Sequence, residues 1–167
     1  MIEHNTAIPR ERILILDFGS QYTQLIARRI RELNVYAEIV PFHHSIDDIK
    51  NEKPSAIILS GGPSSLYEKD APRVSDEIFK LGVPVLGICY GLYVVVNAFK
   101  GQSAGASSRE YGRAIINVNK KSELLKGMAK KEQVWMSHGD KVTKIPDGFT
   151  VTASSGNAEI AAMENSK

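Results

Sequence analysis

Four short apolar runs, each followed by a segment with helical spacing, restrict this chain more than any other feature. Arg12-Ile-Leu-Ile-Leu-Asp17 is continuous and rich in isoleucine, the pattern of a strand covered on both faces. Val35 to Phe42, Ala56 to Leu59 and Pro84 to Ile88 read as three more strands. Between the first two, apolar residues at 22, 25, 26, 30 and 33 lie on one side of a helix from Gln21 to Leu33, with Ser20 as its N-cap and Asn34 as its stop. Ser45 to Lys53 reads as a short helix with Asp47 and Asp48 in its first turn, and Val74 to Leu81 as another. Tyr90 to Lys100 is a helix with a strongly apolar face. Strands alternating with helices at this spacing predict βαβ units, and therefore an α/β fold whose parallel sheet carries helices on both faces.

Beyond Lys100 the pattern changes. Arg113 to Val118, Gln133 to Ser137, Phe149 to Ser154 and Ala158 to Met163 read as strands joined by turns, with at most one short helix near Ser122 to Met128. This half is expected to form a small antiparallel annex, with Glu164 to Lys167 as turn residues after its last strand. Residues 1–11 are a polar tail, and residues 12–167 read as one domain with no linker inside it.

Composition narrows the function classes. Twenty-one basic against 19 acidic residues give a net charge of +2, too balanced for a nucleic-acid binder. The cluster of Arg28, Arg29 and Arg31 reads as a solvated helix face. One cysteine excludes a disulfide framework and a multi-cysteine zinc site. No apolar run is long enough to span a membrane and residues 1–12 hold no leader-like stretch, so a cytoplasmic protein is expected. His43-His44 precedes a helix without other ligands nearby and reads as a solvated turn, with no metal site.

Leu86-Gly-Ile-Cys-Tyr-Gly91 is where chemistry is expected. Cys89 falls where a buried strand gives way to a helix, the strand–turn–helix elbow that exposes a nucleophile in α/β-hydrolases. Gly87 and Gly91 remove side chains on either side of the bend, and a helix N-terminus stabilises a thiolate. The competing reading is a buried, inert cysteine. Ser60-Gly61-Gly62-Pro63 follows the third strand, so backbone N–H groups of Gly62 and Tyr90 are candidate oxyanion-hole donors beside Cys89; taken alone, the glycines mark only a tight turn.

Two further motifs invite chemistry and are set aside. Asp17-Phe-Gly19 lacks the partner loops of a kinase. Trp135-Met-Ser-His-Gly-Asp140 holds serine, histidine and aspartate too close together for a catalytic triad, leaving a substrate-binding loop or a capped turn.

Taken in order, Asp17 to Arg29 (DFGSQYTQLIARR), the Cys89 elbow, Arg109-Glu-Tyr-Gly112 and Trp135 to Val142 (WMSHGDKV) resemble class I glutamine amidotransferases, over nearly the whole chain from Arg12. The first and last stretches resemble the branch of that family serving XMP-to-GMP conversion in purine nucleotide synthesis. The resemblance implies a flavodoxin-like sheet and a Cys89 nucleophile that hydrolyses glutamine through a thioester. It implies oxyanion contacts from Gly62 and Tyr90, and backbone contacts from Ser137 and His138 to the two ends of glutamine. It also implies a partner, an ATP-pyrophosphatase (synthetase) domain in cis or in trans that would hold ATP and Mg²⁺; no cofactor is expected in this chain itself.

Three departures accompany it. The family keeps a catalytic histidine and glutamate in a Phe-His-Pro-Glu segment. The four histidines here, at 4, 43, 44 and 138, lack a glutamate two residues on. The expectation is thus a domain without its C-terminal His-x-Glu segment, inactive in isolation. Tyr93 stands where the family usually has a glutamine that helps bind the substrate amide, an atypical substrate-binding position. Lys100 replaces an expected glycine. Two alternatives stay open: a non-catalytic module of the same fold that docks on and regulates a synthetase, and an amidotransferase serving a different acceptor.

Overall fold

The computed structural model describes residues 11–119 and 121–166, with backbone only for 106–110. The expected tail lies outside the described residues apart from Glu11. The chain divides into two compact units, Met1–Ser64 with Pro72–Gly91, and Ser65–Ala71 with Leu92–Lys167.

The first unit is built on a four-stranded sheet in the order β2-β1-β3-β4, with β1 Arg12–Asp17, β2 Tyr36–Pro41, β3 Ala56–Leu59 and β4 Val85–Gly87. Every pairing is parallel, with Ile15 opposite both Ile39 and Ile58. The isoleucine runs work as anticipated: Leu14, Ile15 and Leu16 are fully buried, as are Ile57 and Leu59. Helix α1, Thr23–Glu32, lays Ala27, Ile26 and Ile30 on a cluster formed by Ile15, Ala37 and Ile58. It starts later than expected, and Ser20 is not its N-cap. The Ser20 hydroxyl instead accepts from Tyr22 N–H at 3.1 Å, closing a serine turn that leads into the helix. Arg28 and Arg29 are solvated and bond Glu32, while Arg31 donates to the Ala37 carbonyl and so ties the helix to β2.

Helix α2, Ile46–Glu52, matches the reading, with the Ser45 hydroxyl accepting from Asp48 N–H. His44 is less solvated than expected: its Nε2 pairs with Glu52 at 3.0 Å. The anticipated helix at 74–81 is only a 3-10 turn, Asp76–Lys80.

The second unit carries an antiparallel sheet in the order β6-β5-β7-β8. Its main feature is a long hairpin of β5, Gln102–Val118, with β6, Lys131–Lys144. β7 is Thr150–Ser154 and β8 is Ala162–Glu164. The sequence reading found the strands at Arg113 to Val118 and Gln133 to Ser137 within this hairpin, but not their full length, and it also offered a loop or capped turn for the motif from Trp135 to Asp140. These residues are ladder residues instead, with Tyr111 facing Ser137 and Arg113 facing Trp135. The expected strand at 158–163 shrinks to β8 because Ser155 N–H bonds the Ala158 carbonyl and closes a turn there. No helix forms near 122–128. The Glu164 carboxylate holds that segment as turns, accepting from Ser122 Oγ and from the N–H groups of Glu123 and Leu124. Helix α3 spans Tyr90–Ala98, with Tyr90, Tyr93, Val94, Val95 and Val96 buried.

Candidate active site

In the first unit the carboxyl ends of β1 and β3 are locked by a small set of polar groups. Asp17 ends β1, and its carboxylate accepts from Gly19 N–H at 2.9 Å and from Thr23 Oγ1 at 2.7 Å. Ser60, the residue after β3, is fully buried; its hydroxyl accepts from Phe18 N–H and donates to the Gly61 carbonyl. The sequence reading assigned neither residue a part. Their signal was available as an aspartate closing a buried strand before Gly-Ser, the pattern of a side chain that folds its own turn.

The glycines of the next turn are required by space. A Cβ on Gly62 would lie 2.6 Å from the Phe18 carbonyl oxygen, and one on Gly91 would lie 2.3 Å from the Leu59 carbonyl oxygen. Gly91 N–H bonds the Ser60 and Ile88 carbonyls, and Ile88 N–H bonds the Leu59 carbonyl, so the end of β4 and the start of α3 are tied to β3. Between them sits Cys89, half-buried and in the left-handed region at φ +53°. A non-glycine residue held there carries backbone strain that the surrounding contacts must sustain. Gly61 lies directly against it: a Cβ at 61 would come within 3.3 Å of Cys89 Cβ. The structure therefore brings Cys89 and the Ser60-Gly61-Gly62 turn together. Tyr90, next to Cys89, is buried, stacks near Phe18 and donates its hydroxyl to the Pro72 carbonyl.

The remaining candidates lie in the second unit. Ser137 and His138 are adjacent on β6. His138 Nδ1 is 2.9 Å from the Asp140 carbonyl. A carbonyl only accepts, so Nδ1 carries the proton. The Tyr93 hydroxyl donates to the same carbonyl at 2.5 Å, and Tyr93 is buried. The Asp140 carboxylate accepts instead from Ser65 Oγ, so it is the backbone of Asp140, and not its acid group, that orients the imidazole. Among the described residues no group of three or more His, Cys, Asp or Glu is placed to hold a metal ion, and no helix is long and apolar enough to cross a membrane.

The family profile of class-I glutamine amidotransferases matches residues 14–167. The GMP synthase [glutamine-hydrolyzing] of Brachyspira hyodysenteriae is 57% identical over 155 residues, covering 93% of this chain. That of Helicobacter pylori strain HPAG1 is 53% identical over the same share. The chain spans about 30% of the length of these curated relatives. Among solved structures, a Thermoplasma acidophilum protein described as part of a GMP synthase superposes with a TM-score of 0.77 at 28% identity, over 94% of this chain and 79% of that one. A Thermotoga maritima glutamine amidotransferase reaches 0.74 at 18% identity, covering 93% of this chain and 71% of its own, a likeness of fold.

Proposed function

The chain belongs to the class I glutamine amidotransferase family, and on that premise we propose that it is the glutamine-hydrolysing part of a GMP synthase. The observation that carries this reading is Cys89, held at φ +53° at the β4–α3 junction with the Gly61 turn against it. The Cys89 thiolate attacks the side-chain amide carbon of glutamine, forming a tetrahedral oxyanion. Gly62 and Tyr90 supply backbone N–H groups to that oxyanion. Breaking the C–N bond with proton transfer to nitrogen releases ammonia and leaves a glutamyl thioester, which water cleaves to glutamate. Ser137 and His138 are assigned to the ends of glutamine. Ammonia is used by a synthetase partner that holds ATP and Mg²⁺ and converts XMP to GMP. A single free cysteine with no disulfide partner in the chain fits the reducing cytosol.

Proton transfer by a positioned side chain contributes typically about 10²–10⁴-fold. No histidine of this 167-residue chain is followed two residues on by glutamate, the pair to which the family resemblance assigns proton transfer. The chain alone is therefore expected to turn glutamine over poorly. Tyr93 favours a second reading, a docking module that no longer binds glutamine, because its hydroxyl is spent on Asp140. Glutamate release from glutamine separates the two, measured with and without a synthetase partner and against Cys89→Ala. Release that the partner raises and Cys89→Ala abolishes supports the glutaminase. Release that stays at the Cys89→Ala level with the partner bound supports the docking module. Rapid turnover by the chain alone contradicts the expected weakness.

A further inference from the structure

Along the β5–β6 hairpin, burial alternates with the strand period. Ile116 and Val118 point inward at 7% and 8% exposure, and with Ala153 they form the core of this sheet. The opposite face should then be the polar, solvated one. It is not. Tyr111 is 64% exposed, Ile115 51% and Trp135 66%. Arg113 faces Trp135 and Ile115 faces Gln133 across the ladder, while Lys131 closes the end of the same row. Opposed side chains on one face lie roughly 5 Å apart, so these six form one contiguous patch. Tryptophan, tyrosine and arginine are the residues that dominate protein interfaces, and an apolar patch rimmed by polar groups marks such an interface.

We propose that this face is a protein docking surface and that its occupant is the synthetase part, presenting an apolar hollow for Trp135 edged by carboxylates. Charge selects that occupant. The patch holds Arg113 and Lys131 and no acid, so a second copy packed on it about a two-fold axis would set four cations together with no carboxylate among them. An acidic-edged partner meets the same two cations favourably. The curated relatives carry this amidotransferase segment within chains more than three times its length, so such a partner is covalently at hand in them. Ser137 lies on the same face as Trp135, two residues along β6, so the docked partner sits against the strand that carries the expected glutamine contacts. The identity of the occupant rests on the function proposed above; the existence of the surface does not.

Trp135 is the chain's single tryptophan, so its fluorescence reports the patch directly. The probe is the synthetase portion of the Brachyspira hyodysenteriae relative, prepared without its amidotransferase part and checked for folding by circular dichroism. Titration into this chain is expected to shift Trp135 emission to the blue. By calorimetry, Trp135→Ala and Arg113→Glu are each expected to weaken binding by roughly tenfold or more, whereas Lys126→Glu leaves it unchanged. Equal affinities for wild type, Trp135→Ala and Arg113→Glu would overturn the surface while leaving the glutaminase reading intact. Failure of the wild type to bind overturns the occupant, and the glutamate-release assay then judges the glutaminase reading separately. Burial of Trp135 by self-association in sedimentation, or quenching by a single-stranded deoxythymidine oligonucleotide in place of the synthetase, overturns the proposal as well.

Discussion

In the parallel sheet, Leu14, Ile15 and Leu16 are sealed from solvent in succession, whereas along β5 burial switches at every residue from Tyr111 to Val118. The first pattern belongs to strands covered on both faces, the second to a sheet with one open side. The contrast extends to the glycines. Gly62 and Gly91 are hemmed in by the Phe18 and Leu59 carbonyls, while nothing lies within 4 Å of a Cβ at Gly112 on β5. One region invests its packing in holding a cysteine in a strained conformation. The other leaves its outer face open for contact. A non-glycine residue in the left-handed region persists only where the surrounding structure supports it densely.

Gly91→Ala tests the comparison hardest. Its Cβ meets backbone at 2.3 Å, which no rotamer change relieves, so a loss of roughly 3 kcal/mol or more is expected in urea unfolding. Gly112→Ala has open space and only its φ of +97° against it, so about 1 kcal/mol is expected. Similar losses at the two positions would erase the distinction.

The next contrast compares two isoleucines. Ile15→Ala removes a fully buried side chain and should cost about 2–5 kcal/mol, while Ile115→Ala, half exposed, should stay within about 0.5 kcal/mol. A large cost at Ile115 in the isolated chain would mean that the outer face is already covered.

The smallest effect concerns Glu164. Burial by itself would raise its carboxyl pKa, but bonds from Ser122, Glu123 and Leu124 outweigh burial and hold it below the ordinary glutamate value. A lowered folded pKa gives stability that is present above the unfolded value near 4.5 and lost as pH falls through the folded one. Glu164→Gln should therefore lower the melting temperature slightly at pH 7, with the difference closing as pH falls below the ordinary glutamate value and through the lowered one. A difference that does not change between pH 7 and pH 3 would detach Glu164 from the 122–128 turns.

The legibility of the sequence follows the same division. β1 and β3 could be read because isoleucine runs are local signals, and α2 because Ser45 and Asp48 form a cap within three residues. The elbow was legible because Gly-Ile-Cys-Tyr-Gly confines its meaning to five positions. Of the hairpin, only Arg113 to Val118 and Gln133 to Ser137 could be read as strand. Ser137-His-Gly-Asp140 is polar with a glycine inside, which locally reads as a turn, and only pairing with Gly105 and with Glu110 to Tyr111, some 26 to 35 residues away, makes it strand. The turn at Ser155–Ala158 likewise hides in a stretch of small residues, which is why β8 was placed too early. Asp17 and Ser60 went unassigned because a side chain that folds its own loop shows its purpose only when the loop is closed.

The central claim is that the elbow activates Cys89, and as the chain's sole cysteine it can be tested without mutagenesis. The measurement is the iodoacetamide alkylation rate followed by intact mass at fixed pH, in the folded chain and in an unfolded peptide spanning residues 84–95. A faster rate in the folded chain is predicted, because the N-terminus of α3 stabilises the thiolate at a half-exposed position. A folded rate equal to or below that of the peptide would contradict the account and leave Cys89 a structural thiol.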